Sequence, residues 1–489
     1  MEIEIERTIN IPLTRELLWF CTNTFSKKNP DLMDTYKVKE KQKKGEVIEQ
    51  VIRGYTVDYK EQKIKIGRGL LPQLKEYLNS SNIEYKLVDR TFAPKIDSNI
   101  WFEFEDPSYT LTEYQEIGKR AFLRVGQGTI SFDCGMGKTV LALNILAALK
   151  IKTIILLHTK ALMKQWIKEI QENIQGKYTI GVIGDSTIKF GDITVALFQS
   201  LYSIPIPEVY DNFGLVIVDE CHHIPAETFL GVLRKFNAKH FLGLSATLVR
   251  KDRKEFLIDF SIGKCLYQKR RVDSGMEQIL NVRRMMYLPK KTKVLDKRTK
   301  MMREKKLNFT RKFNKKASPN WVDAIGGICL YRDRTIEILD DIKKELSQGR
   351  KCLILSDRVE HCKEIYSELQ QCCKVKLAIG GEETDLEEYK NTPEALDAIV
   401  GTKIADEGLN VPYLDTLFLT CPVSLKDVYK QTNTTILDQR IGRVARIRPG
   451  KKQFQVYLYV DVFISFFQST CSDIIHYLES TGFQVRNLN

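Results

Sequence analysis

Along this chain, short apolar runs alternate with longer stretches in which apolar residues return every three or four positions. From about Asp106 the short runs are Thr129–Phe132, Thr153–His158, Tyr178–Ile183, Ile193–Phe198, Leu215–Val218 and His240–Leu244. Runs of this length, rich in β-branched and aliphatic residues, read as strands buried on both faces of a parallel sheet. Val140–Leu149 and Lys160–Ile170 lie between them with helical spacing. The alternation predicts a doubly wound α/β sheet with crossover helices. The same rhythm returns at Cys352–Leu355, Val375–Ile379, Ala398–Gly401, Thr416–Leu419 and Phe454–Val460. A second such sheet is expected there.

The first hundred residues follow another pattern. MEIEIERTINI alternates acidic and apolar residues, which reads as a strand and not as a secretory signal. Ile64–Arg90 reads as strand, Gly-Arg-Gly turn, helix and strand, with Leu71, Leu74 and Leu78 on one buried helical face. A chain of 489 residues exceeds what one hydrophobic core supports. The expected division is a small α/β accessory domain over 1–105, a candidate for DNA binding, then sheet domains over 106–270 and 326–489. Residues 271–325 are expected to form a basic connector.

Composition narrows the classes. Hydrophobic residues make up 43% and charged residues 28%, as in ordinary globular proteins. No apolar run reaches the roughly 18–20 residues that span a membrane. The expectation is an intracellular chain without a membrane partner, acting as a monomer in nucleus or cytoplasm, or carried in a virion if viral. The eleven cysteines contain no C-x-x-C pair and the six histidines are scattered. That spacing predicts reduced, buried thiols and neither a disulfide framework nor a metal site. The formal charge is +14, and Lys290–Lys316 is dense in Lys and Arg with only Asp296 and Glu304 against them. Such a run is a phosphate-binding face or a solvated linker.

Chemistry enters at two places. Asp133–Thr139, DCGMGKT, lies between a predicted strand and a predicted helix. Gly135 and Gly137 let the backbone turn its N–H groups toward phosphate oxygens, with Asp133, Cys134 and Met136 completing the loop. Lys138 is placed to bridge β- and γ-phosphates of ATP, and the Thr139 hydroxyl to ligate Mg²⁺. The first glycine of the full G-x-x-x-x-G-K-T pattern is Phe132 here. Downstream, the apolar run Leu215–Val218 ends in Asp219 and Glu220, followed by Cys221, His222 and His223. Carboxylates at the carboxyl end of a parallel strand sit where open α/β sheets bind ligands. Asp219 is then a metal partner and Glu220 the base for an attacking water.

The order Asp219–Glu220–Cys221–His222 resembles the DExH box of superfamily 2 helicases, which commonly lack the first P-loop glycine. The remaining family motifs follow in order. Tyr114–Gln115 lies where these proteins place an adenine-binding glutamine. HTKALMKQW, starting at His158, resembles motif Ia, and FQSL, starting at Phe198, the motif after it. Ser245–Ala246–Thr247 matches the motif that couples hydrolysis to strand movement. LILSDRVEH resembles motif IV, GTKIADEGLNVP motif V and QRIGRVAR motif VI, with Gln439, Arg443 and Arg446. DECHHIPAETF, LGLSATLVRKD and EGLNVP look most like the XPB-like branch, which large DNA virus and phage helicases share.

The resemblance implies two RecA-like domains in tandem, with ATP and Mg²⁺ as cofactors. It makes Gln439, Arg443 and Arg446 catalytic, with the two arginines reaching the γ-phosphate from one helical face. It gives His222 with Ser245 and Thr247 a coupling role, and turns Thr159, Gln199 and Thr402 toward nucleic acid. It implies an ATP-dependent DNA helicase or translocase, 3′-to-5′, in repair, replication or transcription, and it offers a thumb-like insertion as the alternative to a connector over 271–325. Two departures qualify it: Lys251 stands where the branch carries an acid, and Asn410 where motif V carries a ribose-contacting Asp. Trp166 reads either as a base-stacking residue or as a core tryptophan under the first sheet. The alternatives are an RNA-directed or transcript-release ATPase working with RNA polymerase, and a nucleic-acid-binding scaffold with a dead ATPase.

Overall fold

The structure is a computed structural model that describes residues 1–29, 51–104, 110–184, 187–203, 210–222, 231–246, 254–270, 276–286, 321–379, 389, 392, 394–402, 411, 413–423, 435–446 and 451–488. The chain divides into two compact units, residues 1–133 with 137–270, and residues 134–136 with 271–489.

The first unit opens with an accessory sheet. Its strands β1 (Glu2–Ile5), β2 (Ile9–Pro12), β5 (Tyr55–Asp58), β6 (Lys63–Ile66) and β7 (Lys86–Asp89) lie in the order β5-β6-β2-β1-β7. A two-stranded ribbon, β3 (Ser26–Lys28) with β4 (Val51–Arg53), lies beside it in sequence. The period of two in β1 is realised, with Ile3 and Ile5 buried and Glu2 exposed. Helices α1 (Arg15–Thr24) and α2 (Leu71–Ser80) cover the sheet, and Leu74 and Leu78 bury the expected face of α2. The accessory core continues into Leu257 and Phe260, which belong to the next domain's helix α7 (Phe256–Ser261). Buried Arg68 ties the two together, donating to the carbonyls of Glu6, Ala238 and Lys239 at 2.8, 2.8 and 3.2 Å.

The main sheet of this unit has strands β9 (Gln127–Phe132), β10 (Thr153–Leu157), β12 (Ile180–Gly184), β13 (Thr187–Lys189), β14 (Ile193–Leu197), β15 (Leu215–Val218), β16 (His240–Ser245) and β17 (Cys265–Lys269). Their order is β13-β12-β14-β10-β15-β16-β9-β17, parallel throughout except for the edge strand β13. Helices α3 (Glu113–Val125), α4 (Lys138–Leu149), α5 (Lys160–Asn173) and α6 (Phe198–Ser203) are its other principal elements. A small ribbon pairs β8 (Ile100–Phe102) with β11 (Ile174–Gly176). Because the central strands are parallel, everything placed just after them gathers at one edge.

The second unit holds a parallel sheet of β18 (Glu277–Met285), β19 (Cys352–Leu355), β20 (Val375–Ala378), β21 (Ala398–Gly401), β22 (Thr416–Leu419), β23 (Gln453–Asp461) and β24 (Gln484–Leu488), ordered β20-β21-β19-β22-β23-β18-β24. Around it lie α8 (Trp321–Cys329), α9 (Arg332–Ser347), α10 (Val359–Leu369), α11 (Thr435–Val444) and α12 (Ser465–Ser480). The expected connector over 271–325 needs correcting. β18 already belongs to the second sheet, wedged between β23 and β24. The basic run Lys290–Lys316, outside the described residues, is therefore flanked on both sides by elements of the second unit. The sequence hid β18 because its buried positions include Gln278 and Asn281, and Asn281 is satisfied by Gln455 at 3.0 Å. Arg283, further along the strand, pairs with Asp341 at 2.7 Å.

One ion pair in this unit is almost wholly buried. Arg334 binds Asp461 through two bonds of 2.8 and 3.1 Å and donates to the Thr420 carbonyl at 2.8 Å. Breaking such a pair from one side leaves a buried charge uncompensated. Asp461→Ala is expected to destabilise this unit by about 3–5 kcal/mol, measured as a shift in urea midpoint. Among the described residues no helix is long and apolar enough to cross a membrane.

Candidate active site

The site in the first unit is built at the carboxyl edge of β9, β15 and β16. β9 ends at Phe132, the phosphate loop follows, and α4 begins at Lys138. Gly135 and Gly137 adopt φ of +83° and +76°, in the left-handed region that side chains disfavour. A Cβ at Gly137 would also collide with the Gln115 amide, so the loop needs glycine there twice over. Gln115 is buried and held at both ends: its Oε1 accepts from the Thr112 N–H at 2.9 Å and its Nε2 donates to the Gly137 carbonyl at 3.4 Å. The glutamine expected at adenine thus buttresses the phosphate loop.

Across this edge, β15 delivers Asp219 and Glu220. Glu220 sits at φ +43°, a strained backbone for a residue with a side chain. That turn aims its carboxylate back at the loop, with Oε1 3.3 Å from Lys138 Nζ. Lys138 also donates to the Phe132 carbonyl at 3.3 Å. Asp219 accepts from Trp166 Nε1 at 2.8 Å and from the Glu220 N–H at 2.9 Å. Burial, and then the neighbouring Glu220 charge, push the Asp219 carboxyl up to about 6, against partial relief from Lys138. One lysine facing two acids, with the Thr139 hydroxyl beside it in sequence, is a hard-oxygen set with excess negative charge. Such a set fits a magnesium ion.

The sign of that shift gives a test. A carboxyl whose pKa is higher folded than unfolded lowers stability as pH rises past its unfolded value, with the full effect above about 6. Asp219→Asn removes that charge but sets an amide donor against one of the two N–H groups the carboxylate accepts from, so the expected result is a thermal midpoint of the ligand-free chain that no longer falls as pH rises toward 6. The same variant should lose the added stabilisation that Mg²⁺ with nucleotide gives the native chain.

His222 extends the site. Its Nδ1 lies 2.7 Å from Ser245 Oγ at the end of β16 and 3.4 Å from Glu220 Oε2. His222 thus touches the Ser-Ala-Thr segment at Ser245, while Thr247, expected as its partner, and His223 lie outside the described residues. Trp166 is a core tryptophan, 1% exposed, not a base-stacking one. Its indole N–H also orients Asp219, a role its spacing did not indicate. Sequence reasoning also missed Arg270, which pairs with Asp133 at 3.0 Å and donates to the Ala246 carbonyl at 3.1 Å. No sequence pattern marks that contact.

The residues expected to face nucleic acid also follow strand ends. Thr159 comes after β10 and caps α5, its hydroxyl accepting from the Leu162 N–H at 3.2 Å. Gln199 follows β14 and is exposed, and Thr402 follows β21 in the second unit. In that unit Gln439 and Arg443 lie on α11, which ends at Val444. Arg446 falls beyond the helix, so the two arginines do not share one helical face as their spacing suggested. Arg440 between them is buried and pairs with Asp357 of the motif IV segment at 3.4 Å. Asn410 and Lys251 lie outside the described residues, as does motif V apart from Gly401, Thr402 and Val411.

Comparison with known proteins identifies a domain of known family in each unit. Residues 108–250 match the family described as type III restriction enzyme, res subunit, and residues 334–448 match the helicase conserved C-terminal domain. A protein of Acanthamoeba polyphaga mimivirus named "Putative ATP-dependent RNA helicase L396" is 24% identical, covering 94% of this chain and 84% of that protein. The DNA 3′-5′ translocase XPB2 of Sulfurisphaera tokodaii is 31% identical over 38% of this chain, so the match spans only 40% of that relative. Among solved structures, S. cerevisiae Dbp5 bound to RNA and ADP BeF3 has a TM-score of 0.50 at 13% identity, covering 77% of this chain and 90% of that one. That likeness concerns the fold, two RecA-like domains in tandem. With a phosphate loop, an acidic pair and a histidine in contact with Ser245 ahead of a helicase C-terminal domain, the chain is similar to the XPB-like helicases of superfamily 2 and is an ATP-dependent enzyme.

Proposed function

We propose that the chain is a DNA translocase and helicase that spends ATP to move 3′-to-5′ along its track, with Mg²⁺ held by Thr139 and Asp219. The observation that carries the reading is the contact of Lys138 with Glu220, beside Asp219, at the carboxyl edge of one sheet. In the ligand-free state Glu220 occupies the lysine. An arriving triphosphate competes for that ammonium, which frees the Glu220 carboxylate to take a proton from the attacking water. Lys138 then faces the charge that develops on the phosphoryl oxygens. The magnesium ion, when bound, supplies further charge neutralisation there. Glu220, His222 and Ser245 form a chain through which loss of the phosphate can alter the end of β16. Arg443 and Arg446 are the permanently charged forks suited to the γ-phosphate.

Thr159 and Gln199 in the first unit, and Thr402 in the second, are expected to contact nucleic acid. Because that contact is with phosphates, the logarithm of affinity should fall linearly with the logarithm of salt. About 10³-fold or more should be lost between about 50 and 200 mM salt if roughly six phosphates are contacted. An affinity indifferent to salt would contradict the reading.

A second reading, an RNA-directed ATPase acting on transcripts, draws on the mimivirus relative, whose printed name is that of an RNA helicase. Strand displacement on 3′-tailed and 5′-tailed DNA duplexes, with matched RNA substrates, separates the two. The proposal expects 3′-tailed DNA to be opened. Displacement confined to RNA would establish the second reading in its place.

A further inference from the structure

Two cysteines and a histidine that lie far apart in sequence meet at the carboxyl edge of the second sheet. Cys329 ends α8, Cys421 follows β22, and His361 lies in the first turn of α10, after β19. One potential ligand atom from each, Sγ, Sγ and a ring nitrogen, lies within 4.8 Å of the others, and all three residues are buried. The two sulfurs are 3.4 Å apart and unbridged. Thiolates on a tetrahedral zinc ion, with bonds of about 2.3 Å, stand about 3.8 Å apart. The observed separation is close to that edge length and far from a disulfide bond.

The surroundings complete a coordination shell. Ser356 Oγ, also buried, lies 3.9 Å from Cys329 Sγ, 3.7 Å from Cys421 Sγ and 2.9 Å from His361 Nδ1. The other ring nitrogen, Nε2, is 3.3 Å from Thr335 Oγ1. Metal-bound histidines hold their second nitrogen in this way, which fixes the tautomer and the ring plane. Two thiolates neutralise a divalent ion, so the filled site would carry no net charge into the interior.

We propose that Cys329, His361 and Cys421, with Ser356 or a water in the fourth position, bind one structural zinc ion. Binding releases the two thiol protons to solvent and forms two metal–sulfur bonds and one metal–nitrogen bond. The ion would pin the end of α8 to the sheet beneath the motif IV segment. α8 is the first described element after the basic run in sequence.

The test reads metal on the full chain, purified under reducing conditions without chelator. The expected result is one zinc per chain by elemental analysis. Exchange for Co²⁺ should give thiolate-to-cobalt charge transfer and the intense visible absorption of a tetrahedral site. Cys421→Ser should lose this metal. His361→Cys keeps three ligands and should retain it, with stronger charge transfer. Thr335→Val, which conserves shape, should weaken Co²⁺ binding about 10- to 100-fold. The proposal is overturned if the native chain, folded by circular dichroism, takes up neither zinc nor cobalt. It is also overturned if folded Cys421→Ser keeps its metal undiminished, or if peptide mapping of fresh protein finds a Cys329–Cys421 disulfide.

Discussion

Lys138→Ala is expected to abolish ATP turnover, reducing kcat by about 10²–10³-fold or more. Lys138 lies 3.3 Å from the Glu220 carboxylate, and His222, charged only when protonated, lies 3.4 Å from it. Removing Lys138 leaves the transition-state charge without its fixed counter-charge, and it leaves two buried acids facing each other. The second consequence separates this residue from a passive one. Repulsion between Asp219 and Glu220 should rise, and the carboxyl already pushed up to about 6 should move higher. Steady-state ATPase, with nucleotide affinity measured separately, checks the prediction. Near-wild-type turnover would remove Lys138 from the chemistry.

Glu220→Gln should separate binding from hydrolysis. The amide keeps the shape of the side chain and the strained φ of +43° but cannot accept a proton from water. Loss of a general base reduces the chemical step by about 10²–10⁴-fold. Because Lys138 is no longer neutralised by a carboxylate, ATP affinity should hold or improve. The expected variant binds ATP and nucleic acid together and does not turn over. If Glu220→Gln instead loses ATP binding with unchanged kcat, the glutamate is a ligand-positioning group and the base lies elsewhere.

How much of this was legible in the sequence depended on the distance over which each feature is made. The phosphate loop and the acidic pair are local: glycine spacing, an apolar strand before and a helix after fix them within about a dozen residues. The buried runs of both sheets were equally plain, because strands covered on both faces have no polar positions to interrupt them. What escaped was made by contacts between distant segments. Trp166 reaches Asp219 across 53 positions, Arg270 reaches Asp133 across 137, and Arg440 reaches Asp357 across 83. No periodicity carries such pairings. The Cys329–His361–Cys421 cluster was missed for the same reason, since metal-site spacing was sought along the chain and not across strand ends.

β18 failed differently. Its polar residues looked like those of a connector, yet in the fold they are partnered: Asn281 with Gln455, Arg283 with Asp341. A buried strand whose polar groups bond to its neighbours leaves only a faint apolar signature. Its recovery changes the reading of the basic run, which now stands in sequence between two elements of the second unit.

The central claim is that the Lys138–Glu220 site hydrolyses ATP in response to a nucleic-acid track. The most direct measurement is ATP hydrolysis by the full chain with and without DNA at low salt, with Lys138→Ala as the control. The account predicts hydrolysis that rises severalfold with DNA, falls as salt is added, and vanishes in the variant. Hydrolysis unaffected by DNA or RNA, or equal turnover in Lys138→Ala, would contradict it.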